Sequence, residues 1–224
     1  MNQGETRFDS SASKLIADAA VCWAMAHGRQ TPWRVTANTY RLAVAEILLQ
    51  KTKGQDAEPV WRAVISAYPT AESLASATDQ DLHRIVSQLG LGTQRVDRLR
   101  KMAAALVTKG TNTKLPGLGP YGSAVVALTA GFDSPVPPVD GNIARVICRV
   151  FGLTFQRGEP RKKPEVKQAV ACLLGSRKHP RDKLQVAYAL VDLGATICTP
   201  LRPSCTNCPV VRWCLFGSGR TAET

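Results

Sequence analysis

Apolar residues recur at three- and four-residue spacing along almost the whole chain, and this spacing predicts amphipathic helices over 11–27, 39–52, 56–68, 80–88, 94–108, 121–131, 141–151, 164–174 and 181–197. Val146, Ile147 and Val150 fall on one helical face, as do Leu82, Ile85, Val86 and Leu89. Ser10, Asp79 and Asp140 stand just before such runs and are the expected N-caps. Short Gly- and Pro-bearing connections separate the runs, as in helical bundles. No alternating strand pattern, internal repeat or low-complexity tract interrupts them. The chain therefore reads as all-α.

Composition narrows the class. A chain of 224 residues with 44% apolar residues is an ordinary soluble protein of one or two domains. No apolar run reaches the roughly 18 residues of a membrane span. Met1 to Ser13 is polar and lacks an apolar core, so no secretory signal is expected. The balance of 29 Lys+Arg against 17 Asp+Glu leaves a formal charge of +12. Solubility needs less, and a surface this basic attracts a polyanion, with nucleic acid the first choice. Cys22, Cys148 and Cys172 lie in apolar surroundings and read as reduced core thiols of a cytoplasmic protein.

Three local patterns carry candidate chemistry. Cys198, Cys205, Cys208 and Cys214 have the spacing C-x6-C-x2-C-x5-C, enough to close one loop around a metal centre. The spacing alone leaves zinc and an iron–sulfur cluster both open, with Pro200, Pro203 and Pro209 stiffening the loop. Leu115-Pro116-Gly117-Leu118-Gly119 is a tight turn before a helix, and its two glycines allow positive φ and backbone amides aimed at a phosphate. Glu46 is the one charge between Arg41 and Lys51 in an apolar helix, which suits either a structural ion pair or a poorly hydrated acid. Asp140, read alone, is a helix cap.

Taken in order, Pro32-Trp33-Arg34, Ala45-Glu46-Ile47-Leu48-Leu49-Gln50, Leu115-Pro116-Gly117-Leu118-Gly119, Val139-Asp140-Gly141-Asn142-x-x-Arg145-Val146 and the four cysteines resemble the helix-hairpin-helix DNA glycosylases of the endonuclease III class. The resemblance covers nearly the whole chain. It implies a [4Fe-4S] cluster on Cys198, Cys205, Cys208 and Cys214 rather than zinc. It also implies a two-lobed fold: a helical barrel over 36–137, with the hairpin near 115–122, and a discontinuous cluster domain of 1–35 plus 138–224. Asp140 matches the family's essential aspartate and Glu46 the pocket glutamate of the adenine- and thymine-excising members. Tyr121 stands where bifunctional members carry a lysine nucleophile, so water should be the nucleophile here and strand cleavage should be absent. Leu91 matches an apolar wedge, Gln50 the residue that fills the vacated space, and Gly117 and Gly119 the phosphate-gripping hairpin. A cleft is expected to bring Glu46, Tyr121 and Asp140 around a flipped base.

The target base follows from departures. Thymine mismatch enzymes carry Tyr at the position of Tyr121, and adenine-excising relatives usually Ser. Gly92-Thr93 replaces a Tyr-Tyr pair of the adenine enzymes, and only ten residues follow Cys214, leaving no room for their second domain. The segment Lys109 to Lys114 is shorter than usual, so a trimmed hairpin is expected. The implied activity is removal of thymine or uracil opposite guanine. The alternative is removal of adenine opposite guanine or 8-oxoguanine. More distant readings are a non-catalytic DNA-binding protein and a zinc-stapled transcription regulator. The expected setting is a monomer on mismatched double-stranded DNA, away from membranes, in a prokaryotic-type, nucleoid-associated cytoplasm.

Overall fold

The computed structural model describes residues 8–111 and 113–219. The first seven residues of the stretch read for a secretory signal, and Asn112 of the shortened hairpin segment, lie outside the described residues. Eleven α-helices and four short 3-10 turns form, with no strand among the described residues. None of the helices is long and apolar enough to cross a membrane. The chain divides into two compact units, Met1–Arg29 with Pro135–Thr224, and Gln30–Ser134.

The central unit contains α2 (Pro32–Val35), α3 (Thr39–Leu48), α4 (Gly54–Ala67), α5 (Ala71–Ala75), α6 (Asp79–Val86), α7 (Gly92–Lys109) and α8 (Pro120–Thr129); the other unit opens with α1 (Ser10–His27). Tyr40, Leu42, Ala43, Val44, Ala45, Ile47 and Leu48 of α3 are all buried. A helix apolar on every side belongs in the middle of its unit, and α3 packs on α2, α4, α7 and α8. The boundary at Gln30 places α2 in this unit, where the sequence placed the first 35 residues in the other. Trp33 accounts for it: the ring is buried and meets Trp61 of α4 edge to face at 5.9 Å. Helices α2 and α5, at four and five residues, are too short to show a period. Local chemistry makes them instead: a proline in the first turn of α2, and a reciprocal Thr70–Ser73 capping box on α5. No helix is formed by the described residues between Lys109 and Pro120.

The second unit joins α1 to α9 (Gly141–Phe151), α10 (Pro164–Gly175) and α11 (Pro180–Thr196). Helix α11 packs on α1, α9 and α10. Ala17 and Ala20 of α1 and Ala187 and Leu190 of α11 are fully buried, and the small side chains let the backbones close in. Asp192 of α11 is buried and accepts hydrogen bonds from the Arg29 amide at 3.0 Å and the Arg29 Nε at 2.6 Å. Caps shift by one residue from two of the expected positions. Asp9, not Ser10, caps α1, and Thr78, not Asp79, caps α6. In each case the side chain one residue earlier reaches the free amides. Cys22, expected in the core, lies exposed on α1, because Ile16, Ala17 and Ala20 define a different buried face.

Helices α9 and α11 come close together at Gly194, where an added Cβ would sit 2.6 Å from Asn142 Cβ and 2.9 Å from the Asn142 carbonyl. Gly194→Ala should therefore cost about 1–3 kcal/mol by overpacking, a fall of roughly 2–12 °C in melting temperature. Gly175→Ala, with open space at its Cβ, serves as the neutral control. A Gly194→Ala protein that melts with wild type would show that the helix separation is set elsewhere.

Candidate active site

In the central unit, α3 delivers Glu46 and the turn after it delivers Gln50. Glu46 is the half-buried polar residue between Ala45 and Ile47, both fully buried. Its carboxylate lies against Gly122 of α8, where an added Cβ would be 3.3 Å from Oε2. Gly122 follows Tyr121 directly, so the start of α8 brings Tyr121 and Glu46 into one neighbourhood. The expected helix 39–52 stops at Leu48, and Lys51 turns to a left-handed φ of 57°. That break frees Gln50 from helical geometry. Its Nε2 donates to the Gly117 carbonyl at 2.7 Å, and its Oε1 accepts from Arg98 Nη1 at 2.6 Å.

The two hairpin glycines differ. Gly117 has φ 80°, and a Cβ there would meet Arg98 Cβ at 2.9 Å, so both conformation and space require glycine. Gly119 has φ −76° and nothing within 4 Å of a Cβ. The positive φ expected there is not adopted; Gly119 leaves an open approach to the N-terminus of α8. Pro120 takes the first position of that helix, where its missing N–H costs no intrahelical hydrogen bond. Leu91 is 47% exposed and holds a left-handed φ of 55° just before α7. An apolar side chain offered to solvent on a conformation that costs about 1–2 kcal/mol for a non-glycine residue is not core packing.

The other unit carries Asp140 and the four cysteines. Asp140 is the N-cap of α9 as expected: Oδ1 accepts from the Ile143 amide at 2.7 Å and Oδ2 from Asn142 Nδ2 at 3.0 Å. Asn142 Oδ1 in turn accepts from Arg145 Nη2 at 2.8 Å, which also donates to the Gly194 carbonyl, while Arg145 Nε donates to the Cys198 carbonyl at 2.7 Å. An unbroken hydrogen-bonded path thus runs from the carboxylate to the first cysteine. Asn142 and Arg145 belong to the sequence motif, but nothing in a linear pattern shows that they connect it to the cysteine loop.

Cys198, Cys205, Cys208 and Cys214 line one small cavity together with Arg149, Ile197, Pro203, Val211 and Phe216. Arg149 Nη1 donates to Cys198 Sγ at 3.3 Å, and the Gly217 amide to Cys214 Sγ at 3.3 Å. Arg149 also binds the Thr199 and Pro200 carbonyls and lies over the Phe216 ring. The loop closes back on α9 through Leu215 and Phe216 amides donating to the Val150 and Arg149 carbonyls. Burial pushes the Cys208 thiol up to about 11 and raises that of Cys214. Among the described residues no group of three or more His, Cys, Asp or Glu is arranged to hold a metal ion.

The thymine-DNA glycosylase of Aeropyrum pernix is 29% identical over 218 residues, spanning 93% of this chain and 96% of its own. The adenine DNA glycosylase of Mycolicibacterium smegmatis is 33% identical over 200 residues, but this chain spans only 64% of it. Among solved structures, that of a thermostable thymine-DNA glycosylase superposes with a TM-score of 0.79 at 24% identity, over 93% of this chain and 98% of the other. The family model of HhH-GPD superfamily base excision DNA repair proteins matches residues 44–170. The chain belongs to the HhH-GPD superfamily of base excision DNA repair proteins.

Proposed function

We propose that this protein is a monofunctional mismatch DNA glycosylase that hydrolyses the N-glycosidic bond of thymine, or uracil, opposite guanine. The observation that carries it is Tyr121 at the start of α8, in the neighbourhood of the Glu46 carboxylate. A phenol there cannot form the imine through which an amine nucleophile cuts the strand. Near-complete overlap with a thymine-DNA glycosylase supports the choice of base.

The chemistry assigns one task to each acid. Departure of the base leaves positive charge on the sugar, and Asp140, fixed by two donors, supplies the compensating negative charge and orients the attacking water. Glu46 donates a proton or hydrogen bond to the departing base. The α8 amides beyond Gly119 and the basic surface hold the phosphates. Leu91 and Gln50 take the space of the expelled nucleotide. The four cysteines fit a [4Fe-4S] cluster: they line a common cavity, and N–H donors already point at two of the sulfurs. Bound there, the cluster would brace the loop that Arg145 ties to the catalytic helix. We place the protein, as a monomer, on mismatched DNA in a prokaryotic-type cytoplasm.

Single-turnover excision on four duplexes tests the target base: thymine opposite guanine should be fastest, and thymine paired with adenine should be spared, because a mismatched base costs less to flip. Faster loss of adenine opposite guanine or 8-oxoguanine would instead establish an adenine glycosylase. Asp140→Asn preserves the capping group, so folding should be unchanged while excision falls at least ~100-fold.

Excision by the wild-type protein should leave an abasic strand that breaks only with alkali, and borohydride should trap no covalent complex. Efficient trapping would place an amine nucleophile elsewhere and overturn the monofunctional assignment. Anaerobically purified protein should carry about four iron and four sulfide per chain. Stoichiometric zinc without iron would reassign the cysteine loop.

A further inference from the structure

Arg95 is the one buried cation among the described residues, 2% exposed on α7. Its guanidinium is surrounded by neutral oxygens. Nη1 donates to the carbonyls of Leu48 at 2.7 Å and Ile47 at 3.2 Å. Nη2 donates to Thr52 Oγ1 at 2.7 Å and the Gln50 carbonyl at 3.1 Å, with a longer contact to the Leu89 carbonyl at 3.4 Å. Nε donates to the Gly90 carbonyl at 2.9 Å. These acceptors fall in two segments: 47–52, the last residues of α3 and the turn after it, and 87–91, the turn that leads into α7. The other backbone hydrogen bonds of the loops are local, such as Thr52 to Leu49 and Gly90 to Ser87.

The same two loops hold the two described non-glycine residues with positive φ, Lys51 and Leu91. Left-handed backbone is unfavourable for both and persists only where its surroundings enforce it. At Lys51 the enforcement comes from both sides, through the Gln50 carbonyl and the Thr52 hydroxyl. At Leu91 it comes from the two preceding carbonyls and from the start of α7, which carries Arg95 itself. A guanidinium has five N–H groups in a planar fork; an ammonium has three on one atom and cannot span both loops.

We propose that Arg95 is a positioning residue that locks the Gln50 turn and the Leu91 turn into one frame, so that both side chains enter the duplex together when a nucleotide is expelled. The proposal rests on the mismatch glycosylase reading for its DNA step, but the coupling of the two loops is a property of the free protein. Arg95 touches no substrate in this scheme. Its loss should therefore slow base expulsion while leaving phosphate-driven binding in place.

The test uses the full chain carrying Arg95→Lys and, as a milder variant that keeps the guanidinium, Thr52→Val. Hydrogen exchange of the free protein should rise in both 47–52 and 87–92, by about 5-fold or more for Arg95→Lys and about 2–5-fold for Thr52→Val. A duplex with 2-aminopurine beside the mismatch should show a reduced fluorescence rise with Arg95→Lys, and single-turnover excision should drop ~30-fold or more with Kd for the duplex within ~3-fold. Adding Lys51→Gly to Arg95→Lys, which removes the left-handed penalty, should restore protection in 47–52 but not in 87–92. Exchange that rises in one loop only, or normal fluorescence and excision in Arg95→Lys, overturns the proposal. A wild-type protein that expels no base from any mismatch would sink the glycosylase reading instead, and the exchange measurements would still decide whether Arg95 couples the loops.

Discussion

In a protein built from helices, functional loops hang from helix ends, and helix C-termini leave carbonyl oxygens without partners. Three arginines meet that demand here. Arg95 takes the Ile47 and Leu48 carbonyls at the end of α3, Arg145 takes Gly194 and Cys198 at the end of α11, and Arg149 takes Thr199 and Pro200 just beyond it. Water could satisfy the same oxygens, but it would leave the direction of the outgoing chain open. A planar fork that bonds several carbonyls at once determines where the next residues point. The chain leaving α3 carries Gln50, and the chain leaving α11 carries the cysteine loop.

This arrangement divides the basic residues into two populations. The formal charge of +12 points to nucleic acid, yet Arg95 cannot contribute a phosphate contact from a buried position. Arg98 is engaged with the Gln50 amide, and Arg145 and Arg149 with backbone and sulfur. The field that attracts DNA comes from the exposed lysines and arginines, while these internal guanidiniums commit their hydrogen bonds to geometry. Counting Lys and Arg therefore says that a polyanion is bound but not which residues bind it.

Long helices are legible in the sequence because burial on one face imposes a period, and 141–151 begins and ends where its pattern says. Short elements are not: four residues of α2 contain barely one turn, and their position depends on Trp33 packing on Trp61, a contact far apart in sequence. The C-terminal boundary of α3 is hidden because Leu49 extends the apolar run and no Gly or Pro follows it before Gly54, while Arg95, more than forty positions away, captures the carbonyls that mark the end. Cys22 is hidden for a related reason, since an apolar neighbourhood in sequence does not say which face of α1 is turned inward. Motifs behave differently. Asp140 and the cysteines stand out as residue types at fixed spacing, and Asn142 and Arg145 share the Asp140 motif, but the motif does not say that they tie it to the cysteine loop, and Arg149 belongs to no motif at all.

Asp140 shows how an N-cap holds a carboxylate in one orientation. Capping uses one lone pair of Oδ1 for the Ile143 amide, and the Asn142 side chain uses one of Oδ2. A carboxylate has about four acceptor sites, so about two remain. The side chain cannot rotate without giving up a bond to the helix, and the Asn142 amide is itself held by Arg145. Orientation is thus determined before any substrate arrives, which is where preorganised electrostatics draws its advantage over water. The path then continues through Arg145 to the Cys198 carbonyl. Displacement of the cysteine loop would pull on Arg145, and through Asn142 on the carboxylate. Stability of the loop and alignment of Asp140 are in this way one mechanical problem, solved by hydrogen bonds along a single face of α9.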